Sequence, residues 1–322
     1  MDETSKDKAP AQDENWERRA LERLAGDVLR EQRAKRRWGI FFKLLGFSYL
    51  IAVFVFVIDW GKPENLVDRK HTAVIDLRGT IESKGEASAD GIVASLQSAF
   101  EDKRTVGVVL RINSPGGSPV QSGIIHDEIK RLRAKHPEIP LHAVIEDICA
   151  SGGYYVAAAA DNIYVDKASI VGSIGVLMNG FGFTGSMDKL GVERRLLTAG
   201  DNKGFLDPFS PQDEQQKAHA QRLLDDIHQQ FVGVVRAGRG ERLKETPEIF
   251  SGLVWTGAQS VQLGLADGFG TVDSVARDVI KAEKTLDYSV RENLAERFAK
   301  RLGADMARHL SFGLFGDGPA IR

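Results

Sequence analysis

The chain has 322 residues, 42% hydrophobic and 27% charged, with 43 basic against 45 acidic side chains and a net charge of -2. That composition excludes a disordered or collagen-like polymer, and the balanced charge gives no sign of a nucleic-acid partner. A single cysteine excludes an intrachain disulfide and any multi-cysteine zinc or iron–sulfur site.

Residues 1–37 are polar and end in a basic run of Arg30, Arg33, Lys35, Arg36 and Arg37. From Trp38 to Trp60 the chain turns apolar, with Lys43 and Asp59 as its charges. As a helix, Ile40–Ile58 would span about 28 Å, close to the thickness of a bilayer core. Lys43 lies one turn in and can reach the headgroups, and Trp38 and Trp60 stand where interfacial aromatics collect. A core helix of this length would show a polar stripe, and this segment has none. A removable signal peptide would not begin after so long a polar stretch. Residues 38–60 are therefore read as a transmembrane helix in contact with the lipid bilayer. The basic run keeps residues 1–37 cytoplasmic. The rest of the chain then lies on the other face, which in a bacterial inner membrane is the periplasm or exterior.

Residues 61–70 read as a polar linker, 71–285 as one domain and 286–322 as a C-terminal extension. In the domain, short β-branched runs at Ala73–Leu77, Val106–Ile112, Leu141–Ile145 and Ile163–Val165 predict strands. Helical spacing between them, over Asp90–Lys103 and Val120–Lys135, predicts an α/β domain with a mainly parallel sheet. Strand runs without strict alternation fit burial on both faces. A further strand is predicted at Arg194–Leu197. Ser210 followed by Pro211 predicts the start of a helix that ends near Ala237. Helices are also expected at Ala258–Leu263, Val272–Lys284 and Arg291–Ala307.

Two glycine-rich turns follow predicted strands, which is where open α/β sheets carry their sites. The first is Asn113-Ser-Pro-Gly-Gly117 and the second Ala150-Ser-Gly-Gly-Tyr-Tyr155. Ser151 stands at the start of a helical run, where free N–H groups favour a developing anion. The N–H of Gly152 follows it, and Gly117 can supply another from the facing turn. On residue type alone, Ser151 reads equally well as a helix cap. A serine nucleophile needs a base. None of the seven histidines lies in a turn resembling a catalytic loop, and no paired-ligand spacing suggests a metal. Lys167, Lys189 and Lys203 are the nearest lysines after Ser151, and each by itself reads equally well as a surface residue.

Taken in order, NSPGG at 113–117, ASGGYY at 150–155, GSIGV at 172–176, Gly200-x-x-Lys203 with Pro208, GRG at 238–240 and Gly264-Leu-Ala-Asp267 resemble the signal peptide peptidase A family of serine/lysine-dyad peptidases. The resemblance covers residues 71–285, and Ser151 and Lys203 stand 52 positions apart. It implies that Ser151 is the nucleophile, Lys203 the general base, Gly117 and Gly152 the oxyanion hole, and Ser173 a group that orients the lysine. It also implies a spiral of βαβ units like that of Clp protease and crotonase, no metal or cofactor, and signal-peptide remnants as substrates. The short, single-domain form resembles a homo-oligomer such as a dome-shaped octamer, with sites shared between neighbouring subunits. The sequence departs from the family pattern at Thr198-Ala199 and at Gly204, around the lysine. Two other readings are a Clp-type Ser–His–Asp peptidase and a peptide-binding membrane scaffold without catalysis. Against the first, no histidine follows Ser151 before His219.

Overall fold

A computed structural model describes residues 36–54 and 70–290, and the chain divides into two units at Asp68/Arg69. The first unit contributes helix α1 (Arg36–Phe54), 19 residues long with a mean hydropathy of 1.4 in its most apolar window. Its side chains are exposed all round, including Trp38, Phe42, Phe47 and Phe54. Trp38 stacks on Phe42, with ring centroids 5.7 Å apart, at the basic end of the helix. The helix has the length and composition to cross a bilayer. The remainder of the expected span, to Trp60, lies outside the described residues, as do residues 1–35 and the expected charged helix at 291–307.

The second unit is built on one eight-stranded sheet. Its strands are β1 (His71–Arg78), β2 (Thr105–Ser114), β3 (Leu141–Ala150), β4 (Asn162–Val165), β5 (Ile170–Gly172), β6 (Val254–Thr256), β7 (Gly268–Phe269) and β8 (Thr285–Asp287). The order runs β6-β5-β3-β2-β1-β8, with β4 and β7 as a side branch from β3. Every pairing is parallel except β5 with β6. This is the mixed α/β sheet expected of a Clp-protease-like fold. The branch arises because β3 is long. Its first half, His142–Val144, pairs with β4, and its last residues, Ile148–Ala150, pair with β5. The sheet thereby forks at the end of β3, and that end carries the ASGG turn.

The central strands are buried almost without interruption, as parallel strands covered on both sides must be. One face packs under α2 (Ala89–Glu101), α3 (Pro119–Lys135) and α4 (Gly152–Ala157), with the C-terminal half of α6 (Glu214–Arg239). The other face carries a much smaller apolar cluster of Val74, Val109, Val144 and Val275. Helix starts follow capping chemistry. Ser88 accepts from Gly91 N–H, and Ser118 accepts from Gln121 N–H with Pro119 in the first helical turn.

Several expected elements differ. The long helix begins at Glu214, capped by Asp213, whose carboxylate accepts from the N–H groups of Gln215 and Gln216. Ser210 instead donates to Asp207, so the Ser-Pro start competes with a better acidic cap three residues on. Arg194–Leu197 is not a strand and stays exposed, with Leu197 at 95% exposure. The expected helix at Val272–Lys284 is one short turn, α8 (Val272–Ser274), passing into a π-helical turn at Val275–Val279. Thr285–Asp287 extends as β8 because it adds to the free edge of β1. Two shorter helices, α5 (Thr184–Leu190) and α7 (Gly257–Gln262), complete the unit.

The GRG and Gly-Leu-Ala-Asp segments meet in a buried ion pair. Arg239 has no solvent exposure; its guanidinium donates to both Asp267 carboxylate oxygens at 2.9 and 2.8 Å and to Gly264 C=O at 2.8 Å. Arg242 and the N–H of Ile163 donate to the same carboxylate. A Cβ at Gly238 would fall 2.0 Å from the Ala158 carbonyl oxygen, so glycine there lets α6 close on the end of α4.

Candidate active site

Both glycine-rich turns lie at the carboxyl ends of neighbouring central strands, β2 and β3. In the first, Ser114 donates to Gly79 C=O and accepts from Gly116 N–H, which curls the chain back on itself. Ile81 then donates to Gly116 C=O and accepts from Ser118 N–H, both at 2.8 Å. A bridge of this kind turns the N–H of the residue between, Gly117, away from Ile81. Gly117 has φ 151°, and a Cβ there would lie 2.2 Å from the Ile81 carbonyl oxygen. No residue with a side chain fits.

In the second turn Ser151 takes φ 51° and ψ -124°, a conformation that costs energy for a residue with a Cβ. Its N–H is held by Gly172 C=O at 2.8 Å, and its C=O accepts from Tyr155 N–H at 3.0 Å. The backbone is therefore pinned on both sides. Although Ser151 occupies the cap position of α4, its hydroxyl makes no capping hydrogen bond. The capping alternative is removed by this geometry. The two turns touch: a Cβ at Gly116 would lie 2.6 Å from Gly152 N, and one at Gly152 would lie 3.3 Å from Gly117 N and 2.4 Å from Ser122 Oγ.

A cavity of about 590 Å³ opens over this junction. Ser151, Gly152, Gly117 and Ser173 all line it, so four of the five expected site residues come together. Ser173 also has φ 51°, fixed by its N–H to Leu253 C=O at 2.7 Å. Its position beside Ser151 follows from the β3–β5 pairing, in which Ala150 faces Gly172. The other walls are mixed: Pro119, Tyr155, Val176, Leu177, Ile227 and Phe231 are largely apolar, and Ser122, Gln230 and Ser251 add polar groups. Ile227, Gln230 and Phe231 on α6 were not singled out from sequence, nor was the buried Ser122 beneath Gly152. The signal for the α6 residues is that helix's apolar face, which reads as core packing; Ser122, on α3, has none.

Lys203 is not in this cavity. It sits in an exposed loop, its N–H bonded to Gly200 C=O. The surrounding arm, from Leu177 to Phe209, exposes Leu177, Phe181, Leu190, Leu196 and Leu197. Lys167 lies over the Phe269 ring at 6.0 Å, and Lys189 is exposed on α5. Among the described residues no histidine lines the Ser151 cavity either. His219 is exposed against Phe205, and His142 is buried in β3 beside Tyr164, where desolvation lowers its pKa. Cys149, two residues before Ser151, is fully buried, which pushes its thiol pKa up. Among the described residues no cluster of His, Cys, Asp or Glu has the arrangement of a metal site.

Residues 133–287 match the family described as "Peptidase family S49". A stretch of 231 residues is 42% identical to a protein named Na(+)/H(+) antiporter NhaA in Brucella melitensis, covering 67% of this chain and 31% of that protein. The chain thus spans about a third of the length of such relatives. A putative protease, slr0021, of Synechocystis is 33% identical over 203 residues, covering 63% of this chain and 71% of the relative. A putative signal peptide peptidase of Enterococcus faecium is 29% identical over 237 residues, covering 71% and 68%.

Proposed function

The chain belongs to peptidase family S49, and on that premise we propose that it is a membrane-anchored serine endopeptidase with Ser151 as nucleophile and Lys203 as general base. The observation that carries the reading is the Ser151 turn itself. A strained, doubly pinned serine whose hydroxyl makes no capping bond faces a cavity of mixed lining, beside two backbone N–H groups.

The chemistry follows from those parts. Lys203, in its uncharged form, takes the proton from Ser151 Oγ as the oxygen attacks a peptide carbonyl. Charge builds on the carbonyl oxygen, and the N–H groups of Gly117 and Gly152 hold it; one such donor lowers the barrier by about 3 kcal/mol. Collapse breaks the C–N bond, and the lysine returns its proton to the leaving amine. Water, losing a proton to the same lysine, then hydrolyses the ester on Ser151. Ser173 orients the lysine.

A lysine serves as base only when desolvation removes its charge, and Lys203 is exposed in the single chain. The account therefore brings Lys203 to the Ser151 of a neighbouring subunit. The exposed apolar side chains of the arm that carries Lys203 support such an assembly, because apolar patches of this kind mark interfaces. The assembly is a homo-oligomer, on the resemblance an octamer.

Anchoring rests on α1 and on the largely apolar sequence from Trp38 to Trp60. The basic run before it places the catalytic unit outside the cytoplasm. Together with the apolar side chains Val176, Leu177, Ile227 and Phe231 at the cavity, this favours signal-peptide remnants as substrates; the Enterococcus relative is named for signal peptides. Ion exchange is not carried over from the antiporter-named relatives, of which the match covers 31%.

The test is hydrolysis of an apolar, signal-peptide-like fluorogenic peptide by the full chain in detergent micelles. Ser151→Ala and Lys203→Ala should each abolish turnover, and His219→Ala should retain it. Mixing the two inactive variants before assembly should restore a fraction of the wild-type rate. Activity that survives Lys203→Ala defeats the dyad.

A further inference from the structure

A second cavity, of about 390 Å³, lies between α3, α4 and α6 and adjoins the one that holds Ser151. Tyr155 and Gln230 line both. Tyr155 is one helical turn along α4 from Ser151, about 6 Å. An extended chain covers that distance in about two residues. Tyr155 is held as the partition by ring contacts on two sides, with His126 edge-on at 5.4 Å and Phe231 at 5.1 Å. Beyond it the walls at Ala158, Gly233 and Ala237 are small and leave room for a peptide.

The charge of this second cavity has one sign. Its ionisable lining groups besides Tyr155 are His126 and Lys130, one turn apart on α3, and among the described residues no carboxylate lines it. Lys130 is exposed and makes no ion pair among the described residues. Asp127 Oδ1 lies 3.0 Å from His126 Nδ1, but Asp127 itself is 83% exposed and outside the cavity. His126 Nε2 makes no hydrogen bond among the described residues. Gln230 adds an amide group that can face either cavity's ligand.

We propose that this cavity receives a carboxylate of the peptide substrate, two to three residues from the bond that is cut, on Lys130 and His126. The carboxylate comes either from the peptide's C-terminus or from an acidic side chain. The inference rests on the peptidase reading and deepens it, since it assigns a charge preference to a site whose Ser151 cavity has no charged side chain in its lining among the described residues. An endopeptidase with such a feature would shorten peptides preferentially near an acidic residue or a free end.

The test separates this inference from the reading beneath it. Binding is measured by calorimetry on full-length Ser151→Ala in micelles, with three versions of one apolar peptide: free acid, C-terminal amide, and amide with glutamate near the end. The free acid should bind about fivefold tighter than the plain amide, the scale of a partly exposed ion pair. The glutamate amide should match the free acid if a side chain suffices, and the plain amide if the terminus is required. Adding Lys130→Gln should remove the preference, and Lys130→Glu should reverse it. Equal binding of acid and amide, a preference that survives Lys130→Gln, or no binding of any version overturns the proposal. Hydrolysis of the amide by wild type, unchanged by Lys130→Gln alongside equal binding, would leave the peptidase reading standing and this one refuted. Acid-selective binding without any hydrolysis by wild type would do the opposite.

Discussion

The Arg239–Asp267 pair holds the framework of the candidate site, and removing one partner should cost more than removing both. Asp267 accepts from Arg239 twice, from Arg242 and from Ile163 N–H. Its side chain is 11% exposed and that of Arg239 is not exposed at all. Asp267→Ala therefore leaves a guanidinium buried without its counter-charge and strands a backbone N–H at the start of β4. Breaking a buried pair in this way costs about 3–5 kcal/mol. For a unit of this size that corresponds to a fall in melting temperature of roughly 10 °C. The loss should reach the site, because the same segment supplies Leu265 C=O, which accepts from Tyr154 on the helix that follows Ser151. The double variant Arg239→Met/Asp267→Leu removes both charges with similar volume and should recover most of the lost stability. Urea unfolding of the full chain in micelles, followed by tryptophan fluorescence, gives the midpoints. A loss below about 1 kcal/mol for Asp267→Ala, or a double variant as unstable as the single one, would refute the reasoning.

Three further outcomes follow from the same structure. Burial works to raise the Asp267 pKa, but the hydrogen bonds from Arg239 and Ile163 outweigh it and the net shift is downward. A depressed carboxylate contributes stability above its unfolded value, near 3.8, and loses it as pH falls through the folded value. The stability gap between wild type and Asp267→Asn should therefore be constant above about pH 5 and shrink below pH 4, as pH-dependent urea midpoints would show. Gly117→Ala should leave circular dichroism close to wild type but lower kcat by about a hundredfold or more, since its Cβ would displace the Ile81 bridge and turn the oxyanion-hole N–H aside. Full activity in that variant would remove Gly117 from the hole. Cys149 should resist a water-soluble disulfide reagent in the folded chain at pH 8 and react promptly in denaturant, because its thiol is buried and its pKa raised.

Much of the site's backbone was legible in the sequence. Glycines at 116, 117, 152 and 153 flanking a serine, at the ends of two β-branched runs, predict close approach of two turns, and the turns do meet. The central strands were legible because Val and Ile cluster there without alternation. The edge of the sheet was not. β5, β6, β7 and β8 are two or three residues long, which leaves too few positions for a periodic pattern. Thr285–Asp287, just past the helix expected at Val272–Lys284, pairs with the edge of β1 and was not foreseen as a strand. Leu196 and Leu197 looked like a strand for the opposite reason. Among the described residues neither is buried, and both lie exposed in the arm that carries Lys203. The same holds for Lys203, which no described residue buries, so its role could not be read from local pattern.

The central claim, that Ser151 is a nucleophile activated by Lys203, is tested most directly by covalent labelling. The full chain in micelles would be treated with a fluorophosphonate, and the site and rate of modification read by mass spectrometry. The account predicts one label per chain, on Ser151, with the rate falling at least a hundredfold in Lys203→Ala while the fold is retained. Labelling elsewhere, or at an unchanged rate on Ser151 without Lys203, would contradict it.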